Sequence, residues 1–439
     1  MNKQPSKIRD RTWDFKNADT KKYTHCFHSY PAMMIPQIAG RILDEFGKDA
    51  KILFDPYCGT GTSLVEANIR GIDAIGTDIN PLARLIAKVK TTTIPIEKLD
   101  FYIKQFADFI LTANLSDIGS ELKIPSFKNI DYWFKKETQI MLAAIKGFID
   151  KIDDPDVQDF FKVAFSETVR EASLTKNGEF KLYRMSKKQI EKFNPDVFSV
   201  MLQKLLRNKK GMSEYVSAKR GNAKAYIYDF NTVHGIPQSI IPPRSIDIVI
   251  TSPPYGDSRT TVAYGQFSRL SNQWLGFEDF NEVDKRSMGG VKAKKIIKFN
   301  FEPLDSAIKD IETKDLRRAL DVVAFYIDYK KSIENVSKVV KENGIVAYAV
   351  GNRKVKGVQI PNDEITREFF QRNGFEHIVT IIREIPNKRM PKRNSPSNIV
   401  GQTDSTILSE FIVILKKAVM TSASSLCNSV PKTSMITEI

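Results

Sequence analysis

The sequence predicts an α/β fold built on a doubly wound, mostly parallel seven-stranded sheet with an inserted, mainly helical region. Two observations carry this. The apolar runs Lys51-Ile-Leu-Phe-Asp55, Ala74-Ile-Gly-Thr-Asp78 and Ile246-Asp-Ile-Val-Ile250 are strand-like, and the first two end in an acid and lead into helix-forming stretches. That is the βαβα rhythm of a parallel sheet with right-handed crossovers. Residues 96–222 break the rhythm and show helical periodicity instead.

In chain order, residues 1–22 are charged and read as a loosely held arm, followed by an amphipathic helix whose first turn tolerates Pro36. A strand at 51–54, a helix from 63 to 70, a strand at 73–77 and a helix from 81 to 90 open the sheet. Helices are expected over 96–113, 134–152, 154–171 and 189–207. A strand at 225–228 ends in Asp229 and leads to the central strand at 246–250. A helix over 316–342, a strand at 345–350, a helix over 363–372 and strands at 377–383 and 409–415 complete the sheet. The expected organisation is 1–95 and 223–417 as two halves of one catalytic domain, 96–222 as an insertion that chooses the target, and 418–439 as a disordered tail.

Two loops carry the chemistry. Ile248, Val249 and Ile250 are apolar on both faces of a strand, and Pro253-Pro254 cannot donate to a ladder, so a rigid loop begins there. Open α/β sheets place ligands at such strand ends. Ser252 offers a hydroxyl, Pro253 a carbonyl and Tyr255 a flat ring, a set suited to a planar heterocycle bearing an amino group. The second loop, Asp55-Pro-Tyr-Cys-Gly-Thr-Gly-Thr62, opens a helix, and Gly59 and Gly61 let backbone approach a ligand. Asp78, at the end of the next strand, stands where βαβ units hold ribose hydroxyls. Together these residues describe an adenosine site.

Asp-Pro-Tyr-Cys-Gly-Thr-Gly-Thr, Gly-Thr-Asp-Ile-Asn-Pro and Thr-Ser-Pro-Pro-Tyr, in that order, resemble the S-adenosylmethionine-dependent amino-methyltransferases of DNA. The serine of Ser-Pro-Pro-Tyr is similar to the cytosine-N4 branch of restriction-modification systems, where the adenine-N6 branch carries Asp or Asn. The resemblance covers residues 23–90 and 225–417. It implies a class I, Rossmann-like methyltransferase fold, with S-adenosylmethionine held by Phe27, Tyr30, Asp55, Pro56, Cys58, Gly59, Thr60, Gly61, Thr62, Asp78, Ile79, Asp229 and Phe230. It implies a catalytic loop of Ser252, Pro253, Pro254 and Tyr255 acting on the N4 amine of a flipped cytosine. Rival readings are an adenine-N6 DNA enzyme, an RNA amino-methyltransferase, and a DNA-binding subunit on a degenerate fold, the last opposed by the intact loops.

Charge fits a polyanionic partner. The 439 residues hold 67 Lys+Arg against 52 Asp+Glu, a net charge of +15, which favours duplex DNA through counterion release. Candidate DNA contacts are Arg170, Lys181 and Arg184 around a glycine-punctuated loop, Arg259, Lys292 and Lys294 beyond the catalytic loop, and Lys388 and Arg389 in a basic loop. The seven cations of 204–224 also suit phosphate, and Arg259, Tyr264 and Arg269 are expected to face the substrate. Three cysteines and four histidines show no disulfide or metal-ligand spacing, so no metal is expected. With no apolar run of about 20 residues and a polar start, the chain is expected to be cytoplasmic, and the resemblance implies a cognate restriction endonuclease as partner.

Overall fold

The computed structural model describes residues 6–112, 123–176, 181–256, 261–385, 393–394, 404–405 and 409–419. Its strands are β1 (Lys7–Arg9), β2 (Ile52–Asp55), β3 (Asp73–Thr77), β4 (Ala225–Tyr228), β5 (Ile246–Thr251), β6 (Val340–Gly351), β7 (Arg353–Val355), β8 (Val358–Ile360), β9 (Phe375–Glu384), β10 (Arg393–Asn394), β11 (Asp404–Ser405) and β12 (Ser409–Lys417). The main sheet runs β1-β9-β12-β6-β5-β2-β3-β4. Only β12 runs against its neighbours β6 and β9; the other pairs are parallel. This is the Rossmann-like methyltransferase architecture that the sequence predicts, with one strand more than expected.

The extra strand corrects the reading of the N-terminus as a loose arm. Lys7–Arg9 pairs in parallel with Thr380–Ile382 of β9. Lys7 Nζ lies 2.6 Å from the buried Asp363 carboxylate, Trp13 is fully buried, and Arg9 grips Asp14 through two hydrogen bonds of 2.8 and 2.9 Å. The proposed tail at 418–439 lies almost wholly outside the described residues.

Local chemistry explains the helix boundaries around the sheet. Asn80 and Asp154 cap the helices Pro81–Thr91 and Pro155–Ala172, each with proline at the first helical position. The helix expected over 189–207 is two helices, Lys187–Lys192 and Val197–Ala218. Pro195 supplies no N–H and pushes Asn194 out of the helical region, and Asp196 then caps the second helix. The next boundary also shifts: the helix Leu316–Val339 gives way to β6 three residues earlier than expected.

Helices cover both faces. On one, the long Leu316–Val339 helix and Asn362–Gln371 pack on β5, β6 and β12. On the other, the helices Pro36–Phe46 and Thr62–Ile69 pack on Leu53, Ala74, Ile248, Ile250, Ala347 and Ile412. The helices between β3 and β4 build a further apolar cluster that takes in Phe27, and Phe267, Leu270 and Trp274 of the helix Tyr264–Leu275. The helical region therefore shares its core with the helices Pro81–Thr91 and Tyr264–Leu275.

Candidate active site

The sheet's register brings the two loops together. Leu53 and Phe54 of β2 pair with Ile248 and Val249 of β5, so Asp55 and Thr251 finish side by side. Thr251 Oγ1 donates to Asp55 Oδ1 at 2.5 Å, Ser63 donates to Asp55 Oδ2, and the Tyr57 amide donates to Oδ1 at 3.1 Å. One carboxylate thus fastens the glycine loop, its helix and the catalytic strand.

Burial raises the Asp55 pKa from its ordinary value to about 6, against the pull of its hydrogen-bond donors. The folded chain therefore holds this proton more tightly than the unfolded one. The resulting stability is fully present below about pH 4 and is lost as pH rises through 6. Asp55→Asn keeps an acceptor for Thr251 and should flatten this dependence by an amount on the order of 2 kcal/mol. Urea midpoints of parent and variant at pH 4 and 7 test this; parallel pH profiles would refute it.

Above these strand ends lies a cleft of about 980 Å³, its open mouth included. Tyr30, Asp55, Pro56, Cys58, Gly59, Thr60, Thr62, Asp78, Ile79, Phe230, Ser252 and Pro254, all singled out from sequence, line it. Asp78 accepts the amides of Gly59 at 3.1 Å and Asn80 at 2.7 Å, and burial raises its pKa. Tyr30 and Tyr264 stack with ring centroids 5.9 Å apart. Burial also drives the Cys58 thiol well above its usual pKa, so it is poorly suited to act as a thiolate nucleophile.

Several assignments change. Phe27 is fully buried in the helical core, edge-on to Phe160, and does not line the cleft. Asp229 is also absent from the lining: its carboxylate meets Arg84 at 3.1 Å and Arg286 at 2.8 Å, tying the segment 283–288 over the cleft. Gly61 stands behind the loop at φ +76°, where an added Cβ would lie 3.0 Å from the Cβ of Ala87. Gly61→Val should therefore disturb helix packing before it meets any ligand, lowering the melting temperature as well as cofactor affinity. Calorimetry on the folded variant separates the two, and an unchanged melting temperature would refute this placement.

Of the expected catalytic loop, Pro253 and Tyr255 do not line the cleft: Pro253 is buried, and Tyr255 is half-buried with its hydroxyl donating to Glu410 Oε1 at 2.7 Å. Of the DNA candidates, Arg170 is withdrawn. It is buried, donates to the Phe267 carbonyl at 3.1 Å and lies over that residue's ring. Arg184 lies over the ring of the exposed Tyr132, Lys181 is half-buried, and Lys292 and Lys294 are exposed. Arg259, Lys388 and Arg389 lie outside the described residues. Within 204–224, Lys204 pairs with Glu171, Arg207 with Glu167 and Lys209 with Asp100, so these three cations serve the fold.

The sequence reading also missed residues of the lining. Asn80 bridges Tyr30 and Ser268, and Val283, Arg286, Ser287 and Met288 arrive by long-range folding. Tyr264, expected at the substrate, faces this cleft.

The chain is 40% identical over 440 residues, covering 95% of it and 96% of the relative, to the type II methyltransferase M.MvaI of Kocuria varians. The chain belongs to the type II DNA methyltransferase family. It is also 22% identical over 264 residues to the type II methyltransferase M.BsoBI of Geobacillus stearothermophilus, covering 54% of this chain and 50% of that one. An rRNA methyltransferase of Streptomyces viridochromogenes superposes over 93% of this chain and 94% of its own, with a TM-score of 0.33 and 10% identity. No protein-family model matches.

The methyltransferase takes its methyl group from S-adenosylmethionine, and the cleft fits that molecule. Among the described residues, Thr60 Oγ1 is buried in its wall without a partner, and nothing lies within 4 Å of where a Cβ on Gly59 would sit. The aromatic pair Tyr30 and Tyr264 and the acid Asp78 supply apolar and polar surfaces for a nucleoside. Among the described residues no group of His, Cys, Asp and Glu is placed to hold a metal, and no helix is long and apolar enough to cross a membrane.

Proposed function

We propose that this methyltransferase modifies the exocyclic N4 amine of a cytosine flipped out of duplex DNA at a specific site, as the modification half of a restriction-modification system. The observation that carries the reading is Ser252: it lines the cleft together with Asp78 and Gly59, so a substrate acceptor and the cofactor loop face one space. S-adenosylmethionine supplies an electrophilic methyl group when bound, held by Asp78, the Gly59–Thr60 loop and the Tyr30–Tyr264 pair. What remains for the protein is to align the nucleophile at near-attack distance.

The cytosine amine is a weak nucleophile because its lone pair is delocalised into the ring. Ser252 Oγ and the Pro253 carbonyl are acceptors for its two hydrogens, and accepting them localises the lone pair on nitrogen. The Tyr255 ring covers the face of the extruded base. Choice of target sequence is assigned to the helical region 96–222, where Arg184 lies over the ring of the exposed Tyr132 and beside the exposed Tyr183.

Expression in a methylation-free host, followed by sequencing that separates 4-methylcytosine from 6-methyladenine, tests the reading. Only 4-methylcytosine at one recurring sequence is the expected result. A 6-methyladenine product would overturn the cytosine assignment, and a methylated RNA with unmodified DNA would overturn the substrate.

A further inference from the structure

We propose that Glu410 is a positioning residue for methyl transfer, holding the Tyr255 ring in the plane that receives the extruded base; this rests on the stacking role given to Tyr255 above. Glu410 lies on β12, opposite Gly351 of β6 and Arg383 of β9. A carboxylate inside a sheet is costly unless its charge and lone pairs are met. Arg383 meets the charge, with its Nη1 2.5 Å from Glu410 Oε2. The rest of that guanidinium is directed elsewhere, Nε to the Trp13 carbonyl at 2.8 Å and Nη2 to the Asp14 carbonyl at 3.3 Å. Glu410 Oε1 is thereby turned to the Tyr255 hydroxyl at 2.7 Å.

The other end of Tyr255 is held as well. Asn362 Nδ2 donates to the Gly351 carbonyl at 2.7 Å and reaches the Tyr255 carbonyl at 3.4 Å. With backbone and hydroxyl both fixed, the ring has little rotational freedom left to lose when a base arrives, which is how preorganisation lowers the cost of binding. Burial and the neighbouring Glu410 charge raise the Tyr255 pKa well above its usual value, so the hydroxyl remains a donor. Nothing in the loop's own sequence requires a tyrosine hydroxyl; the carboxylate 155 residues away does.

The full-length enzyme on a duplex bearing its own site tests this, with transferred methyl groups counted whichever base receives them. Tyr255→Phe, which deletes only the hydroxyl, should lower the single-turnover rate and kcat by about tenfold or more, the scale of one hydrogen bond to a charged group. KM for duplex and the affinity for S-adenosylmethionine should stay within about twofold, since the ring and the cofactor loop are intact. Glu410→Gln should lower kcat to a similar degree, and the double variant should be no slower than the slower single one. Parental activity in Tyr255→Phe, or losses that multiply in the double variant, would overturn the proposal.

Tyr255→Ala separates the two layers of argument. If it is slow while Tyr255→Phe matches the parent, the ring reading stands and the Glu410 anchor falls. If Tyr255→Ala also matches the parent, the stacking role itself is wrong. Melting temperatures of Tyr255→Phe, Tyr255→Ala and Glu410→Gln, read beside the rates at a temperature where all three are folded, keep a folding defect apart from a rate defect.

Discussion

Ser252→Ala is expected to leave cofactor and duplex affinities nearly at parental values and to slow methyl transfer by roughly 10- to 100-fold, the worth of a hydrogen bond to a group that gains charge in the transition state. The Ser252 hydroxyl lies 3.4 Å from the Tyr255 oxygen, too long for a strong O–H···O bond, so it is open to a substrate amine. Deleting it leaves the Thr251–Asp55 bond that fastens the loop and leaves the Pro253 carbonyl as the second acceptor. An interaction made chiefly in the transition state lowers kcat and kcat/KM together. Single-turnover kinetics beside calorimetric titration of S-adenosylmethionine give the answer. Weaker cofactor binding with methyl transfer at the parental rate would make Ser252 a loop cap, and the catalytic reading of 252–255 would fail.

What the sequence showed of this site was its local part. Asp55, Gly59, Asp78 and Ser252 stand at strand ends whose apolar runs are readable within a few residues, and strand ends of a parallel sheet converge on one edge whatever the rest of the chain does. Pairing across long separations leaves no periodic trace. Asp229 looked like a free acid at a strand end, yet Arg84 and Arg286 claim both its oxygens. The seven cations of 204–224 suit phosphate by sequence, yet Lys204, Arg207 and Lys209 are claimed by Glu171, Glu167 and Asp100. The N-terminal edge strand is only three residues long and fully exposed in its burial pattern, so hydrophobic patterning could not reveal it; Asp363 and β9 hold it in place. Helical periodicity runs on through 189–207, but Pro195 breaks the helix because it has no N–H to donate.

The exposed lysines beyond the cleft give the last large effect, in the salt dependence of DNA binding. Met288 lines the cleft, and after Gly289 and Gly290 the chain presents Lys292, Lys294, Lys295 and Lys298 to solvent, which places positive charge next to the rim a duplex would have to approach. If each of three lysines neutralises one phosphate, replacing Lys292, Lys294 and Lys295 by alanine removes about 0.9 per contact from the log–log slope. The parent's fall in affinity between about 0.05 and 0.2 M salt would then exceed the variant's by up to about fortyfold. Lys209→Ala is the matched control, because Lys209 lies 2.5 Å from Asp100 and carries an internal pair; its slope should equal the parent's. Fluorescence anisotropy across a salt series reads both. A triple variant with the parental slope would place the 292–295 lysines away from the duplex, whereas a changed slope in Lys209→Ala would show that the Val197–Ala218 helix faces DNA despite its acidic partners.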